Sequence, residues 1–359
     1  EMSRGLGDVY KRQYLVKKNM NHVVIMAGGI GSRFWPLSTP ELPKQFIDIL
    51  GCGRTMIQMT IDRFEGICPS NNIWVVTNQD YVEIVKRQLP QVNPKHILAE
   101  PIARNTTPSI AWACWRIKQE DVAANVVITA SDAIVYNQVE FRRVVNNCLL
   151  FTKNNDVVVT LGIKPTRPET GYGYIETKKL IDGEIYSVNA FKEKPDSVIA
   201  QMYFSKKYFL WNAGIFVWNI NTISKMISEY VPSIARIMDE ILSTGNLTDL
   251  FPLCEKISID FAVMEPAAKE GKVYCHPADL GWSDLGCWTS LFGQLPKDKE
   301  NNAIVGNILL HDCKNCIVHG NSQKRILIQG LDGYIVSEKD GNILICKLSE
   351  EQRIKNFLS

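Results

Sequence analysis

The sequence predicts an α/β protein with a mixed, mostly parallel sheet and a small all-β segment at its carboxyl end. Over the first 160 residues, short apolar runs alternate with longer amphipathic stretches. This alternation is typical of parallel strands that helices cover on both faces. From residue 303 onward the pattern changes to short β runs separated by turn residues such as Asp332-Gly333 and Asp340-Gly341.

Each apolar run of the first part is a predicted strand, and the stretches between them are predicted helices. A helix is expected over 80–89, and another begins near Asn105, with Asn105 or Thr106 as its cap and Pro108 in its first turn. Two further predicted helices are 222–230 and 233–243. The predicted strands are 23–27, 72–77, 96–99, 126–130 and 157–162.

The chain is expected to divide into three parts. Residues 1–19 are polar, basic and without periodicity, and we interpret them as a leader or a cloning-derived segment. Residues 20–295 form the main domain, and the polar run 296–302 opens a carboxyl-terminal β segment, 296–359. The predicted strands of that segment are 303–310, 315–319, 325–329, 334–337 and 342–347.

The balance of charge argues against a basic, nucleic-acid-binding surface spread over the whole molecule. The chain has 359 residues, with 40 Lys and Arg against 38 Asp and Glu, a formal net charge of +2. No apolar run reaches the ~18–20 residues that a membrane helix needs, so we expect no membrane span. The 10 cysteines are scattered and no export signal is evident, which favours reduced thiols in a cytoplasmic protein.

A glycine-rich loop follows the first strand. Gly28, Gly29 and Gly31 allow backbone N–H groups to approach a phosphate closely, because no Cβ intervenes. The loop is neither a P-loop, which would end in Gly-Lys-Ser or Gly-Lys-Thr, nor a dinucleotide fingerprint, which would have a third glycine where Phe34 stands. On this segment alone, a plain tight turn is an equally good interpretation.

Two cations follow the glycine loop. Arg33 comes directly after Ser32, and Lys44 lies in the run PKQF. Together they suit a triphosphate, whose negative charge must be neutralised before an anion can attack it. Taken singly, each cation could be a solvated surface residue, which is the ordinary place for an isolated lysine.

A carboxylate, an amide and a helix N-terminus follow the third strand. Glu100 can accept both the N1–H and the N2 amine of a guanine, and the backbone around Asn105 can meet its O6. The alternative is that Asn105 only caps the helix and that Glu100 is a surface group. Both interpretations can hold at once.

Two aspartates follow apolar runs in similar settings. Asp132 directly follows the fourth strand, and Asp284 lies within WSDLG. Two carboxylates together with phosphate oxygens are ligands that Mg²⁺ prefers, although each aspartate could equally occupy a strand-end turn. The glycine loop, Glu100 and Asp132 all follow the carboxyl ends of strands. Open α/β sheets bind ligands at that edge, so we expect one site there.

Long motifs occur in a fixed order along the chain. They are AGGIGSRFWPLS, PKQF, EPIARNTTPSIA, TLGIKPTRPETGYGYI, FKEKPD, WNAGIF, SIDFAVME and WSDLGCW. From about residue 21 to residue 288 the sequence resembles the mannose-1-phosphate guanylyltransferases, or GDP-mannose pyrophosphorylases, in their short bacterial form. The resemblance implies a Rossmann-like nucleotidyltransferase domain over 20–295 and a β-helix-like carboxyl-terminal segment.

The resemblance also implies an activity and a set of site residues. The activity is transfer of GMP from GTP to mannose 1-phosphate, giving GDP-mannose and pyrophosphate, with Mg²⁺ as cofactor and a homodimer as the assembly. The implied nucleotide-binding residues are Gly28, Gly29, Gly31, Ser32, Arg33, Lys44, Glu100, Asn105 and Thr106. The implied sugar-phosphate-binding residues are Gly173, Glu193, Lys194 and Asn212. The implied metal ligands are Asp132 and Asp284, and the implied catalytic residues are Arg33, Lys44, Asp132 and Lys194.

One position departs from the family pattern. The family usually has a histidine after the aspartate of the fourth strand, whereas this chain has Ala133. If that histidine only supports Asp132, the change weakens metal binding without abolishing turnover; if it contacts substrate, activity or specificity changes. Two alternatives therefore stay open: nucleotidyl transfer to another hexose 1-phosphate, and a catalytically weakened nucleotide-sugar-binding regulatory protein.

A second motif could bind a metal. Cys313 and Cys316 are spaced as Cys-x-x-Cys, between His311 and His319. We expect two short strands and a turn here, which would scatter the four side chains over two faces. Zinc is therefore the less favoured interpretation.

Overall fold

The computed structural model describes residues 21–29, 32–192, 194–320 and 323–358. The predicted leader, 1–19, lies outside the described residues, and so do Gly31 and Glu193. No helix in the part of the chain that the structure describes is both long and apolar enough to span a membrane.

The main domain alternates strands with helices. Every strand and helix predicted for it is present, with ends shifted by no more than two residues. Its strands are β1 Asn21–Ala27, β2 Ile73–Asn78, β3 Ile97–Glu100, β4 Asn125–Ala130, β5 Ile134–Val135, β6 Val158–Ile163, β7 Tyr174–Asp182, β8 Ile185–Lys192, β9 Phe209–Asn219, β10 Val273–Ala278 and β11 Trp282–Ser283. Its α-helices are α1 Met56–Asp62, α2 Val82–Gln88, α3 Thr106–Glu120, α4 Gln138–Asn154, α5 Ser197–Phe204, α6 Ile220–Tyr230, α7 Pro232–Thr244, α8 Leu247–Leu250, α9 Glu265–Lys269 and α10 Trp288–Gln294.

Nine of these strands form one sheet in the order β3-β2-β1-β4-β9-β6-β10-β8-β7. Strands β8 and β9 run against the other seven, so the sheet is mixed and mostly parallel, which confirms the predicted fold class. Strand β9 lies between β4 and β6 and also pairs with the start of β7. Strands β1, β3 and β4 run in parallel, so their carboxyl ends share one edge of the sheet.

Helices cover the sheet on both faces. In β1, Val24 packs into one core with α3, α6 and α7, whereas Val23 and Ile25 pack into the opposite core with α1, α2 and α4. All three side chains are fully buried. A strand with two buried faces is apolar at every position, which explains why the run VVIM shows no alternation.

The carboxyl-terminal segment stacks short strands in two sets. Its strands are β12 Ala303–Val305, β13 Ile308–His311, β14 Ile317–His319, β15 Ile326–Gln329, β16 Tyr334–Lys339 and β17 Asn342–Lys347, and a helical turn, α11 Ile354–Phe357, follows them. One set is the parallel stack β12-β14-β16 with β17 antiparallel at its edge, and the other is the parallel pair β13-β15. Parallel stacks of this kind resemble the coils of a β-helix.

The prediction of a single strand over 303–310 was wrong, because the chain turns a corner at Gly306. That glycine has a φ of +111°, and a Cβ placed on it would lie 2.5 Å from the carbonyl oxygen of Gly320. Only glycine fits both the backbone conformation and the close approach.

The β segment and the main domain share a hydrophobic core. The rings of Phe34 and Trp288 lie 5.4 Å apart, and Ile317 is buried in the same cluster. The Lys339 ammonium donates to the carbonyl oxygen of Leu37 at 2.6 Å. The two kinds of sheet therefore pack on one another through a common core.

Candidate active site

The glycine loop after β1 is held by a buried glutamine. Gln45 is 2% exposed, and its Nε2 donates to the carbonyl oxygens of Ala27 at 3.1 Å and Gly29 at 2.8 Å. A Cβ on Gly28 would lie 3.6 Å from Oε2 of Glu100, and a Cβ on Gly29 would meet nothing within 4 Å. Gln45 thus fixes the backbone of the loop, and the space at Gly29 is open, with the Glu100 carboxyl group beside Gly28.

Lys44 is buried and fully engaged, so it is not a solvated surface residue. It is 4% exposed, and its Nζ lies 3.1 Å from Oδ2 of Asp132. The same ammonium donates to the carbonyl oxygens of Asp284 at 2.8 Å and Leu285 at 2.9 Å. One lysine therefore joins the two loops that carry the predicted metal ligands.

A two-stranded ribbon explains how those loops meet. Strand β11 pairs with β5 in antiparallel register, with Ser283 opposite Ile134. Continuing that register places Asp284 beside Ala133, the residue after Asp132. The two aspartates, far apart in sequence, come to the same end of the ribbon.

Asp132 keeps its ion pair with Lys44 although Ala133 stands where the family usually has a histidine. Ala133 is 7% exposed, and its carbonyl oxygen accepts from Nη2 of the buried Arg63 at 2.7 Å. Burial lowers the pKa of the Arg63 guanidinium to about 10, which keeps it charged at neutral pH. The Lys44–Asp132 ion pair forms with alanine in place, and the Asp132 side chain is 43% exposed and accessible to a ligand.

Asp284 is oriented by two donors. Its Oδ1 accepts from the Tyr172 hydroxyl at 2.8 Å and from the backbone N–H of Gly286 at 3.1 Å. Tyr172 packs edge-on against Trp211 and Trp282, with ring centroids 5.1 and 5.2 Å away. Burial and the neighbouring carboxylate raise the pKa of Tyr172, so the phenol remains a donor.

Among the remaining predicted phosphate ligands, Arg33 lies at the surface. Arg33 is exposed, and its Nη1 donates to the carbonyl oxygen of Gly286 at 3.4 Å. Ser32 begins a short 3₁₀ turn, Ser32–Phe34. The exposed guanidinium can therefore turn toward an anion in the cleft without leaving a buried partner.

Glu100 is a buried carboxyl group and not a surface residue. It is 6% exposed, and burial raises its pKa to about 7 despite a hydrogen bond with Ser109 that lowers it. The Ser109 hydroxyl contacts both Oε1 of Glu100 and the carbonyl oxygen of Asn105. The Ser109 hydroxyl has one proton, which it donates to Oε1 of Glu100 or to the carbonyl oxygen of Asn105; donation to the ionised carboxylate is what lowers the pKa of Glu100.

The helix N-terminus beside Glu100 is capped as predicted. Oδ1 of Asn105 accepts from the backbone N–H of Thr106 at 2.8 Å, and Asn105 has the uncommon φ of +67° for a residue with a side chain. Oγ1 of Thr106 accepts from the backbone N–H of Ile259 at 2.9 Å. The predicted nucleotide loop is therefore tied to the segment 258–265.

A cavity of about 400 Å³ opens between that loop and strands β8 and β9. Five predicted site residues line it: Asn105, Thr106, Gly173, Lys194 and Asn212. The other lining residues are Phe191, Lys192, Ser258, Asp260, Phe261 and Glu265. The structure thus brings predicted nucleotide and sugar-phosphate residues to one place, with two lysines for an anion and several oxygen and amide groups for hydroxyls.

Asn212 is fixed inside this cavity. Its Nδ2 donates to Oδ1 of Asp260 at 2.9 Å, and its Oδ1 accepts from the backbone N–H of Gly214 at 3.0 Å. Its own backbone N–H donates to the carbonyl oxygen of Gly173 at 2.9 Å. A Cβ on Gly173 would lie 3.4 Å from the carbonyl oxygen of Lys192, so this position has little room for a larger side chain.

Sequence reasoning missed four residues of the site. Ser109 follows Asn105 by one helical turn, a spacing that places both on one face. The other three are Gln45, Tyr172 and Asp260, which lie within or beside the quoted motifs, but nothing in the sequence shows which partners they meet.

The residues described do not gather a zinc site at 311–319. The thiols of Cys313 and Cys316 donate to backbone carbonyl oxygens, and His319 is buried with its Nε2 3.1 Å from the carbonyl oxygen of Ile49. His311 is exposed. Over the described ranges, no group of three or more His, Cys, Asp or Glu side chains is arranged to hold a metal ion.

The chain is similar to known proteins over nearly its whole length. A family model described as nucleotidyl transferase matches residues 22–301. Mannose-1-phosphate guanylyltransferase 2 of Escherichia coli O157:H7 is 34% identical over 356 residues, which is 93% of this chain and 72% of that protein. The alginate biosynthesis protein AlgA of Pseudomonas fluorescens is 32% identical over 350 residues, which is 94% of this chain and 71% of that protein.

A solved structure has the same fold. The crystal structure named mannose-1-phosphate geranyltransferase, from Thermus thermophilus, matches with a TM-score of 0.85 at 26% sequence identity. The match covers 94% of this chain and 98% of that chain, so the carboxyl-terminal β segment is part of the shared fold.

Proposed function

Because the chain belongs to the nucleotidyl transferase family, we propose that it is a mannose-1-phosphate guanylyltransferase. It transfers GMP from GTP to mannose 1-phosphate and releases pyrophosphate. The observation that carries this proposal is the match to a relative of that name over 93% of the chain. The relative named for alginate biosynthesis supports use of the product in polysaccharide synthesis.

The reaction needs alignment and charge neutralisation more than it needs a base. A phosphate oxygen of mannose 1-phosphate attacks the α-phosphorus of GTP, and the bond from that phosphorus to the bridging oxygen of the β-phosphate breaks. The attacking group is already an anion, so no proton has to be removed from it. The electron pair of the broken bond leaves with pyrophosphate.

On the nucleotide side, ionised Glu100 accepts from N1–H and the N2 amine of guanine. The phosphates extend from the glycine loop toward Arg33, whose guanidinium is exposed and free to turn. Lys44 contributes its charge from behind, because all three of its N–H donors are already engaged with Asp132 and two carbonyl oxygens.

On the sugar-phosphate side, the cavity of about 400 Å³ holds mannose 1-phosphate. Lys192 and Lys194 supply positive charge for the phosphate. Asn212 and Asp260, already hydrogen-bonded to one another, present polar atoms to the sugar hydroxyls. The nucleophile is thereby held beside Asn105 and Thr106, at the loop that binds the nucleotide.

Two carboxylates at the end of the β5–β11 ribbon suit Mg²⁺ as ligands. Asp132 and Asp284 supply two carboxylates, and Mg²⁺ is commonly held by one or two carboxylates with the rest of its octahedron from phosphates and water. The hydrogen bonds of Asp284 Oδ1 to Tyr172 and Gly286 fix that carboxylate in place. When bound, the ion supplies neutralisation and alignment of the phosphate oxygens.

We also propose a homodimer located in the cytoplasm. Support for the location is the free state of all ten cysteines, as expected in a reducing compartment. Sedimentation of the purified protein tests the dimer directly.

A pyrophosphate-release assay tests the function. Purified protein is mixed with GTP, mannose 1-phosphate and Mg²⁺, with and without a chelator, and ATP and UTP and other hexose 1-phosphates serve as comparisons. We expect pyrophosphate only with GTP and mannose 1-phosphate, and only without chelator. Equal turnover of another hexose 1-phosphate would favour the broader-specificity alternative, and ligand binding with no pyrophosphate would favour the regulatory one.

A further inference from the structure

Helix α1 meets the loop that carries Asp132 through two buried polar side chains. Thr60 lies in the helix, and Arg63 follows directly after it with helical backbone angles, so the spacing of three residues places both on one face. Thr60 is fully buried and Arg63 is 2% exposed. An arginine is seldom buried without a specific partner, so the contacts of this pair indicate what it does.

These contacts fall on the carbonyl groups of the two residues beside Asp132. The Thr60 hydroxyl donates to the carbonyl oxygen of Ser131 at 3.3 Å. Nη2 of Arg63 donates to the carbonyl oxygen of Ala133 at 2.7 Å and to Oγ1 of Thr60 at 3.2 Å. Thr60 gives its one proton to Ser131 and accepts from Arg63, so the three hydrogen bonds are compatible. One helix thereby holds the backbone on both sides of Asp132.

The backbone is the means by which these neighbours orient Asp132. Ala133 has only a methyl group, so its side chain supplies no hydrogen bond to the adjacent carboxylate. On the other side, the backbone N–H of Ser131 donates to the carbonyl oxygen of Met26 in β1 at 3.1 Å. Lys44 holds the carboxylate itself, whereas α1 and β1 hold the chain from which that carboxylate projects.

The buried charge of Arg63 is not neutralised by a paired carboxylate. The preceding residue, Asp62, pairs with the exposed Arg54 at 2.6 Å instead. The ring of Phe141 packs beside the guanidinium, 5.8 Å from Cζ, and Nη1 has no hydrogen-bond partner among the described residues. Burying a charge in this way is costly, and a neutral donor would hold a carbonyl oxygen at less cost. A role in packing alone therefore does not explain an arginine at this position.

We propose that Arg63, together with Thr60, is a positioning residue for Asp132, because it fixes the loop from which that carboxylate reaches the metal ion. This role rests on the proposed metal site at Asp132 and Asp284. A loop that is held in advance loses less conformational freedom when the ion binds, so the affinity for the ion is higher. Arg63 acts through the two carbonyl groups rather than by contact with ion or substrate.

Binding of Mn²⁺, a paramagnetic substitute for Mg²⁺, tests this role in the full-length protein without substrates. Electron paramagnetic resonance measures the free ion during titration. Arg63→Met should raise the dissociation constant of Mn²⁺ about 10-fold or more, the scale for groups that orient metal ligands. Thr60→Val should raise it about threefold or more. Thr152→Val is the matched control and should change it less than about twofold, because Thr152 is also buried but its hydroxyl donates to carbonyl oxygens of its own helix.

A second measurement separates positioning from a general effect on the fold. At subsaturating Mg²⁺, Arg63→Met should lower pyrophosphate release about 10-fold or more in the wild-type background, but less than about twofold in the Asp132→Ala background. An equal loss in both backgrounds overturns the proposal. If Arg63→Met does not fold, as judged by circular dichroism, Thr60→Val takes its place in both measurements.

The Mn²⁺ titration can also overturn the proposal. Dissociation constants within about twofold of the wild type in both Arg63→Met and Thr60→Val would do so. Wild-type affinity in Asp132→Ala would remove the metal site itself, and this role of Arg63 with it. Absence of pyrophosphate release by the wild type would count against the proposed function alone, because Mn²⁺ binding is measured without substrates.

Discussion

Lys44 and Asp132 form an ion pair, with Nζ 3.1 Å from Oδ2, between a lysine side chain that is 6% exposed and an aspartate side chain that is 43% exposed. A ligand can therefore reach the carboxylate while the ammonium stays behind it. The same ammonium holds the backbone of Asp284 and Leu285, so its charge and the spacing of the two aspartates are set together.

Replacing Lys44 with methionine should lower both stability and turnover. The buried carbonyl oxygen of Leu285 and the partly buried one of Asp284 lose their donor, which costs about 1–3 kcal/mol in the free energy of unfolding. Turnover at saturating GTP should fall by ~10²-fold or more, because a preorganised charge is removed. Denaturant unfolding and pyrophosphate release measure the two effects. Lys95→Met, at an exposed lysine, is the control and should change neither.

Replacing Asp132 with alanine should cut turnover at saturating GTP by ~10²-fold or more, since a proposed metal ligand is lost. The effect should not add to that of Lys44→Met, because the two side chains act as one unit. A double variant whose turnover loss equals the product of the single losses would contradict the coupling. Full activity of Asp132→Ala would remove this residue from the metal site.

Replacing Tyr172 with phenylalanine should loosen Asp284 without removing its charge. Loss of the hydroxyl donor should raise the Mg²⁺ concentration that gives half-maximal activity by about 10-fold or more, as found for groups that orient metal ligands. The matched control is Tyr174→Phe, because the Tyr174 hydroxyl donates to the carbonyl oxygen of Glu169 at 2.9 Å instead. An equal Mg²⁺ requirement in both variants would count against the role of Tyr172.

The raised pKa of Glu100, about 7, predicts two opposite pH dependences. The folded protein binds this proton more tightly than the unfolded chain, so the contribution to stability is full below the ordinary carboxyl pKa and is lost as pH rises through 7. GTP binding instead needs the ionised carboxylate. KM for GTP should therefore fall about tenfold from about pH 6 to about pH 8.

Two variants check the assignment of that pH dependence to Glu100. Glu100→Gln should flatten the profile of KM against pH. Ser109→Ala removes a hydrogen bond that lowers the pKa of Glu100, so it should move the profile to higher pH. A profile in Glu100→Gln that matches the wild type would show that another group titrates.

The main sheet was predictable because its strands are locally encoded. Val23–Ala27 and the other buried runs are too short and too apolar to be surface helices, and the polar residues that end them mark the sheet edge. The capping of α3 by Asn105 was equally local, since it depends only on the next residue.

What the sequence could not predict depends on contacts between distant segments. The environment of Lys44 is set by the pairing of β11 with β5, a register that joins two segments far apart along the chain. The burial of Glu100 depends likewise on how β3 lies against the glycine loop. The antiparallel insertion of β9 between β4 and β6 also has no local signal.

A crystal structure of the protein with GDP-mannose and Mg²⁺ shows whether Asp132 and Asp284 hold a metal ion against the phosphates of the nucleotide. We expect one ion that is bound by a carboxylate oxygen from each of Asp132 and Asp284 and by a phosphate oxygen of the ligand, with guanine beside Glu100. If the ligand binds elsewhere, or if both aspartates are remote from the ion and the phosphates, the proposed metal site does not exist.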